Sequence, residues 1–397
     1  MTDFTWTRAQ FHLPMGMIYL DGNSLGPLPK AAPARIEAML RHEWGEQLIT
    51  GWNASGWMAQ PRAIGDRIAR LIGAEPGHVV MGDTLSIKVY QALAAALKLR
   101  PDRRVVLSDS GNFPSDLYMA QGLVKLLGQD YRLRVVKPTE VAEAIDENVA
   151  VTLLTEVDYR TGRRHDMAAL TALAHEKGAL TVWDLAHSAG ALPVDVSGAD
   201  ADFAVGCTYK YLNGGPGAPA FIYVAPRHAD LAEPALAGWL GHAKPFDFDR
   251  DYTPGAGIER MRVGTPPVVQ MTLLETALDI FDRVDMAEVR KQSVRLCEQF
   301  IGLVEESCPQ LRLFSPRDPA QRGSQVSFRA ENGYAIMQAL IAEGVIGDFR
   351  APDVMRFGFC PLYIRETDVE EAVGILARIL RGALWDRPEF LRRKAVT

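Results

Sequence analysis

The sequence predicts an α/β protein with a large domain built on a mostly parallel sheet and a smaller α+β domain. Between about residues 57 and 225, short apolar runs rich in β-branched residues alternate with helix-like stretches, as in sheets covered by helices on both faces. After about residue 265 this alternation gives way to long amphipathic stretches. A chain of 397 residues seldom forms a single core, so we expect two domains.

The individual elements follow from the alternation. The strand-like runs of the large domain are, in order, "HVVMGD", "RRVVLSD", "YRLRVV", "VAVTLLTEV", "ALTVWD" and "ADFAVG", and a helix-like stretch follows each of the first four. In the small domain, two long helices precede a strand, helix, strand, helix pattern. We expect an N-terminal segment over 1–50 that packs with the small domain, a large domain over 51–260 and a small domain over 261–397.

Composition and charge exclude several classes of partner. The net charge of −6 provides no basic face, so we expect neither nucleic acid nor an anionic membrane as a partner. No apolar run approaches the roughly 20 residues that span a bilayer, and the N-terminus has no signal-peptide pattern. The four cysteines form no CxxC pair, which predicts neither a disulfide framework nor a metal site. We expect a cytoplasmic protein with a small-molecule substrate.

Two strand ends carry the residues that point most directly to chemistry. Asp184 ends "ALTVWD", and His187 follows it; a helix N-cap is the alternative for this aspartate, and a structural role is the alternative for this histidine. Lys210, between Tyr209 and Tyr211, follows the next strand and precedes a Gly-rich loop. A partly buried lysine at a sheet edge can form a Schiff base, and a nearby acid can keep the ring nitrogen of a pyridine cofactor protonated. A surface turn with an incidental lysine is the alternative.

Other strand ends offer further ligand groups. Asp83 and Thr84 stand at a strand-to-helix junction, where a phosphate could bind or Thr84 could be an N-cap. The residues from Phe113 to Asp116 follow a second strand, and Phe113 could stack on a flat ring or serve only in packing. Thr155 ends a fourth strand. We expect these groups to converge, because ligands of parallel sheets bind where strands end.

The C-terminal half adds a cation within an apolar, strand-like run. Arg356 lies in the otherwise apolar run "VMRFGF", which suits bidentate binding of a carboxylate or a structural ion pair with a nearby acid. Arg260, Arg262 and Thr265 lie at the domain junction and could line the site or belong to a linker.

Seven segments together resemble the kynureninase family, whose members are fold type I, pyridoxal-phosphate-dependent enzymes. They are "IYLDGNSLGP", "NFPSDLY", "WDLAHSAG", "CTYKYLNGGPG", "GWLGH", "RVGTPP" and "RFGFCPLY", in that family's order and over nearly the whole chain. The resemblance implies a seven-stranded sheet and a homodimer with shared active sites. It also implies hydrolysis of L-kynurenine to anthranilate and L-alanine, a step of tryptophan catabolism in the kynurenine pathway towards NAD biosynthesis.

The resemblance also implies residue roles. Lys210 would bind pyridoxal 5'-phosphate covalently and move the substrate's α-proton, Asp184 would pair with the ring nitrogen, and Tyr209 would act as an acid or base. Arg356 would bind the substrate carboxylate. Trp57, or equally Trp52, would line the aromatic pocket, and packing in the core is the alternative for each tryptophan. The cofactor-binding set would be Asp83, Thr84, Phe113, Asp116, Thr155, Asp184, His187, Tyr209 and Lys210, with Trp239 and Thr265 from the partner subunit.

Two alternatives are open at this point. One is another enzyme of this fold, such as a cysteine desulfurase. A resemblance to that enzyme would include a His-Lys pair at the Schiff base, where this chain has Tyr209-Lys210, and the desulfurase reaction also needs a cysteine on a mobile loop. The other is a catalytically inactive homologue that still binds the cofactor. Thr265 stands where the animal branch of the family has asparagine, which favours L-kynurenine over its 3-hydroxy analogue.

Overall fold

The computed structural model describes residues 1–393. The strands are β1 (Ile18–Tyr19), β2 (Val79–Met81), β3 (Val105–Asp109), β4 (Arg132–Val136), β5 (Val149–Thr155), β6 (Leu180–Asp184), β7 (Phe203–Gly206), β8 (Phe221–Val224), β9 (Arg312–Leu313), β10 (Gln325–Arg329), β11 (Val345–Ile346), β12 (Asp348–Arg350) and β13 (Val354–Gly358). The α-helices are α1 (Phe4–Ala9), α2 (Ala32–Ala38), α3 (Gly51–Ala54), α4 (Gln60–Leu71), α5 (Leu85–Lys98), α6 (Pro114–Leu127), α7 (Val141–Ala144), α8 (Met167–Glu176), α9 (Val268–Phe281), α10 (Met286–Ser307), α11 (Gly333–Ala342), α12 (Glu366–Arg381) and α13 (Pro388–Leu391).

A seven-stranded sheet organises the first part of the chain, in the order β2-β8-β7-β6-β5-β3-β4. The neighbours from β7 through β6, β5 and β3 to β4 are parallel, whereas β8 pairs antiparallel with both β2 and β7. The predicted mostly parallel sheet of seven strands is therefore confirmed. The sequence pattern did not reveal β8, the short "FIYV" run after the Gly-rich loop.

The central strands are apolar on both faces because helices cover both. Successive residues point to opposite faces: Leu153 and Val182 join one hydrophobic cluster, and Leu154 and Trp183 join the other. The first cluster includes α5, which packs across β5, β6 and β7. All residues of β5 and β6 are buried, so the sheet forms a rigid base for the side chains at its carboxyl edge.

The second part of the chain builds a four-stranded antiparallel sheet in the order β12-β13-β10-β9, with α10 packed on α12 and α12 on α11. The N-terminal segment joins it through β1, which pairs in parallel with β11. The same segment reaches the large sheet, where Gly26 N donates to the Tyr209 carbonyl at 2.8 Å. Within residues 1–393, no helix has the length and apolar character needed to cross a membrane.

Candidate active site

Asp184 occupies the carboxyl end of β6 and is 1% exposed. No helix follows it; its Oδ1 instead accepts a hydrogen bond from Ala186 N in a turn, at 2.9 Å. Thr155, at the end of β5, is its neighbour in the sheet, and Thr155 Oγ1 lies 3.3 Å from Asp184 Oδ2. Burial raises the pKa of Asp184, while the nearby Lys210 charge and these two contacts lower it.

Lys210 and His187 form a buried pair beside Asp184. Lys210 Nζ lies 3.0 Å from His187 Nε2. The other ring nitrogen, His187 Nδ1, is buried without a partner among the described residues. Burial, followed by the Lys210 charge, holds the pKa of His187 well below its usual range. The imidazole is therefore neutral at pH 7 and can accept from the lysine.

Phe113 and Asp116 complete this group from the N-terminus of α6. Phe113 is partly exposed, and its ring centroid is 5.8 Å from Lys210 Nζ. Both carboxyl oxygens of Asp116 are buried without a hydrogen-bond partner among residues 1–393. Burial and the neighbouring Asp184 raise the pKa of Asp116 well above its usual range. Asp116 therefore lies close enough to Asp184 and Lys210 for their charges to act on its carboxyl group.

The predicted phosphate residues Asp83 and Thr84 lie at the start of α5, where two further hydroxyl side chains meet. Thr84 is the N-cap residue of α5, but it is exposed and its side chain caps nothing. The Asp83 carboxylate lies 3.3 Å from the buried Lys88 Nζ. Ser86, which the sequence reasoning missed, meets Ser115 at 2.7 Å between their hydroxyl oxygens. Both serines are second residues of their helices, α5 and α6, so two helix N-termini with their free N–H groups converge there.

The predicted domain junction around Arg262 and Thr265 lies beside Asp83 and Lys88 at the start of α5. Thr265 is exposed and lines a narrow cleft with Asp83 and Lys88 of its own chain. Lys88 Nζ also donates to the Met261 carbonyl at 3.1 Å, which ties α5 to the junction. Arg262 contacts Glu259 at 2.9 Å and belongs to that structural framework.

Tyr209 borders the lysine, with its ring centroid 5.7 Å from Lys210 Nζ. Burial, the proximity of Cys207 and the charges of Asp184 and Asp116 raise the pKa of Tyr209. The phenol therefore keeps its proton at neutral pH and can act as a proton donor.

Arg356 is fully buried in β13 and is bound internally. Its Nε donates to Asp348 Oδ1 at 2.5 Å, its Nη2 contacts Asp348 Oδ2 and Ser24 Oγ, and its Nη1 donates to the Tyr159 carbonyl at 2.5 Å. The structural ion pair considered from the sequence is present. Tyr159 packs edge-on against Phe113 with ring centroids 5.1 Å apart, so this arginine also borders the site.

The tryptophans divide between core and surface. Trp57 is buried, and its Nε1 donates to Glu43 Oε2 at 3.0 Å. Trp52 packs edge-on against Trp57, with ring centroids 5.6 Å apart, and lines an apolar cavity with the exposed Trp239 and Phe246. Of the two candidates for an aromatic pocket, Trp52 is the one that faces open space, and the role of Trp57 stays a prediction.

Comparisons with known proteins agree with this arrangement. Residues 289–376 match the family described as "Kynureninase C-terminal domain". The chain is 52% identical over 98% of its length to a kynureninase of Burkholderia pseudomallei (strain 1106a) and 51% identical over the same share to one of Pseudomonas fluorescens; in each case 95% of the relative is covered.

Solved structures agree with the fold. A cysteine desulfurase of Thermococcus onnurineus NA1 superposes with a TM-score of 0.81 at 19% identity, covering 95% of this chain and 98% of that one. The cysteine desulfurase CsdA of Escherichia coli superposes with a TM-score of 0.79 at 20% identity, covering 96% of this chain and 99% of that one. At such low identity these structures establish the shared fold, whereas the two full-length relatives establish the family. The chain belongs to the kynureninase family.

Proposed function

We propose that this protein uses pyridoxal 5'-phosphate to hydrolyse the Cβ–Cγ bond of L-kynurenine, which gives anthranilate and L-alanine. The observation that carries the proposal is the buried group at the carboxyl edge of the sheet, where Lys210, His187 and Asp184 lie together. The near-full-length similarity to kynureninases selects this reaction among those that such a group could perform.

The residues present fit the cofactor. Both oxygens of Asp116 and Nδ1 of His187 are buried polar atoms that have no partner among the described residues, and such atoms are normally paired. The buried acid Asp184 suits a protonated ring nitrogen. The paired hydroxyls of Ser86 and Ser115 at two helix N-termini suit a phosphate. We therefore place the phosphate at these serines rather than at Thr84.

When bound, the cofactor supplies an electron-withdrawing ring that stabilises negative charge on the substrate Cα. Lys210 Nζ would hold the cofactor through its aldehyde, and the same amine, when free, would take the proton from the substrate Cα. His187 Nε2 lies 3.0 Å from this amine and orients it. Because the imidazole is neutral, it does not repel a positive charge on Lys210. Asp184 keeps the proton on the ring nitrogen.

Tyr209 supplies the second proton transfer. After water adds to the γ-carbonyl and the Cβ–Cγ bond breaks, Cβ needs a proton. The raised pKa of Tyr209 keeps its hydroxyl protonated, so it can donate this proton to Cβ. The O–H proton that the hydrated carbonyl gives up as the bond breaks then restores the hydroxyl.

We propose a homodimer with shared active sites. Trp239, Phe246 and Phe248 are 43%, 61% and 76% exposed, and large apolar side chains grouped on a surface are typical of interfaces. In this arrangement Trp239 and Thr265 would contact the partner's cofactor. Sedimentation equilibrium tests the assembly: a dimer supports it, and a monomer at micromolar concentration contradicts it.

A cysteine desulfurase is the weaker alternative. Cys207, Cys297, Cys308 and Cys360 are all buried free thiols, whereas that chemistry needs a cysteine on a mobile loop. An inactive homologue is also disfavoured, because Lys210, Asp184, Tyr209 and Arg356 are all present. The free thiols are typical of a reducing compartment, which supports a cytoplasmic location.

Incubation of the cofactor-loaded protein with L-kynurenine and with its 3-hydroxy analogue tests the activity. We expect release of the aromatic amine, with L-kynurenine preferred because of Thr265. If neither compound is cleaved and cysteine instead yields alanine and sulfur, the desulfurase alternative is correct.

A further inference from the structure

The charge around Arg356 is already compensated inside the protein. Arg356 and Asp348 face each other across β13 and β12, and both are almost fully buried. Four of the five N–H donors of a guanidinium are used, by Asp348, Ser24 and the Tyr159 carbonyl. A substrate carboxylate would meet a neutral pair with one free donor, which is little for a buried anion.

Arg350 supplies further positive charge and further N–H donors beside this pair. Arg350 and Asp348 are two residues apart on β12 and share one face of the strand, and Arg350 Nη2 lies 2.9 Å from Asp348 Oδ2. Its side chain is 38% exposed, and its Nη1 donates to the Phe349 carbonyl at 3.1 Å. Two guanidinium groups therefore share the one carboxylate of Asp348, and Arg350 adds positive charge and further N–H donors beside Arg356.

The cluster faces the proposed active site. Arg356 Nη1 binds the Tyr159 carbonyl, and Tyr159 packs edge-on against Phe113, which borders Lys210. The positive charges of Arg356 and Arg350 also both act on His187. Asp21 is the other acid of the cluster, and because burial and then Asp348 raise its pKa to about 7, it is partly neutral at physiological pH.

We propose that Arg350 binds the α-carboxylate of the amino-acid substrate together with Arg356, and that Asp348 holds both guanidinium groups in place. This inference rests on the proposed function. It makes Arg350 a substrate-binding residue, and Asp348 a positioning residue that acts through the two arginines.

L-Alanine, a product of the proposed reaction, and L-alaninamide, which lacks the carboxylate, are the probes. Dissociation constants are measured from the absorbance of the cofactor-loaded protein for the parent, Arg350→Gln and Arg350→Lys. Arg378→Gln is the matched control, since Arg378 is a partly exposed arginine paired with Glu343 on the same domain. Turnover of L-kynurenine by the parent tests the proposed function separately.

We expect Arg350→Gln to weaken L-alanine binding by about tenfold or more and to leave L-alaninamide binding within about twofold of the parent. Arg350→Lys should lie between, because it keeps the charge and loses the fork, and Arg378→Gln should change neither constant. Unchanged L-alanine binding in Arg350→Gln would overturn the proposal. So would an equal loss for both probes, since that would mean a merely structural role.

Discussion

Replacing Asp184 by Asn removes one charge while it leaves the shape of the site nearly unchanged. The amide oxygen can still accept from Ala186 N, and the amide nitrogen can donate to Thr155 Oγ1, so both contacts of the carboxylate have a substitute. What is lost is a buried negative charge opposite the proposed ring nitrogen. Hydrogen bonds to charged groups contribute about 1.5–3 kcal/mol, and about 1.36 kcal/mol corresponds to tenfold in rate. We therefore expect turnover to fall roughly 10- to 150-fold.

The assay is steady-state release of anthranilate, with cofactor content and thermal unfolding measured on the same samples. Asp202→Asn is the control, because Asp202 is an equally buried carboxylate that precedes β7, at the opposite edge of the sheet. It binds His175 and His228, so its loss should lower stability and leave turnover per folded molecule unchanged. An Asp184→Asn protein with turnover within about twofold of the parent would refute the role of Asp184.

Three further predictions concern single residues. Lys210→Ala should bind no borohydride-reducible cofactor and should not turn over L-kynurenine; a trapped adduct in this variant, seen by mass spectrometry, would place the link elsewhere. Tyr209→Phe should lower kcat by roughly 10²-fold or more, as for loss of a general acid, with the cofactor still bound, and unchanged kcat would rule out its proton donation. Between pH 5 and pH 8, the free energy of unfolding measured in urea should fall more for the parent than for Asp21→Asn. The reason is that the folded-state pKa of about 7 exceeds the unfolded value of about 3.9, so the parent loses stability as pH rises through 7; parallel pH profiles of the two proteins would contradict this.

The central sheet was predictable because burial on both faces leaves a direct trace in the sequence. β5 and β6 are fully buried, so they read as short apolar runs that end in Thr155 and Asp184. β8 was missed because the prediction relied on strands that alternate with helices. β8 instead pairs antiparallel with both of its neighbours, β2 and β7, and no helix lies between β7 and β8. Its other partner, β2, is distant in the chain, so no local pattern reveals that pairing.

The site was predictable where strand ends determine position. Asp184 and Lys210 follow neighbouring parallel strands, so their proximity follows from topology. Ser86, at which we propose the phosphate, was not among the predicted residues because Thr84 fits the N-cap pattern better; a hydroxyl in the first turn of both α5 and α6 was the available signal. The Asp348–Arg350–Arg356 cluster depends on the pairing of β12 with β13, which no local pattern reveals.

Hydrolysis of L-kynurenine in water labelled with heavy oxygen tests the central claim most directly. Cleavage at the Cβ–Cγ bond by water places one labelled oxygen in the carboxylate of anthranilate and leaves L-alanine unlabelled, and the two products form in equal amounts. Mass spectrometry of both products reads this result. A cofactor-loaded protein that releases no anthranilate, or releases it without the label, would contradict the proposed reaction.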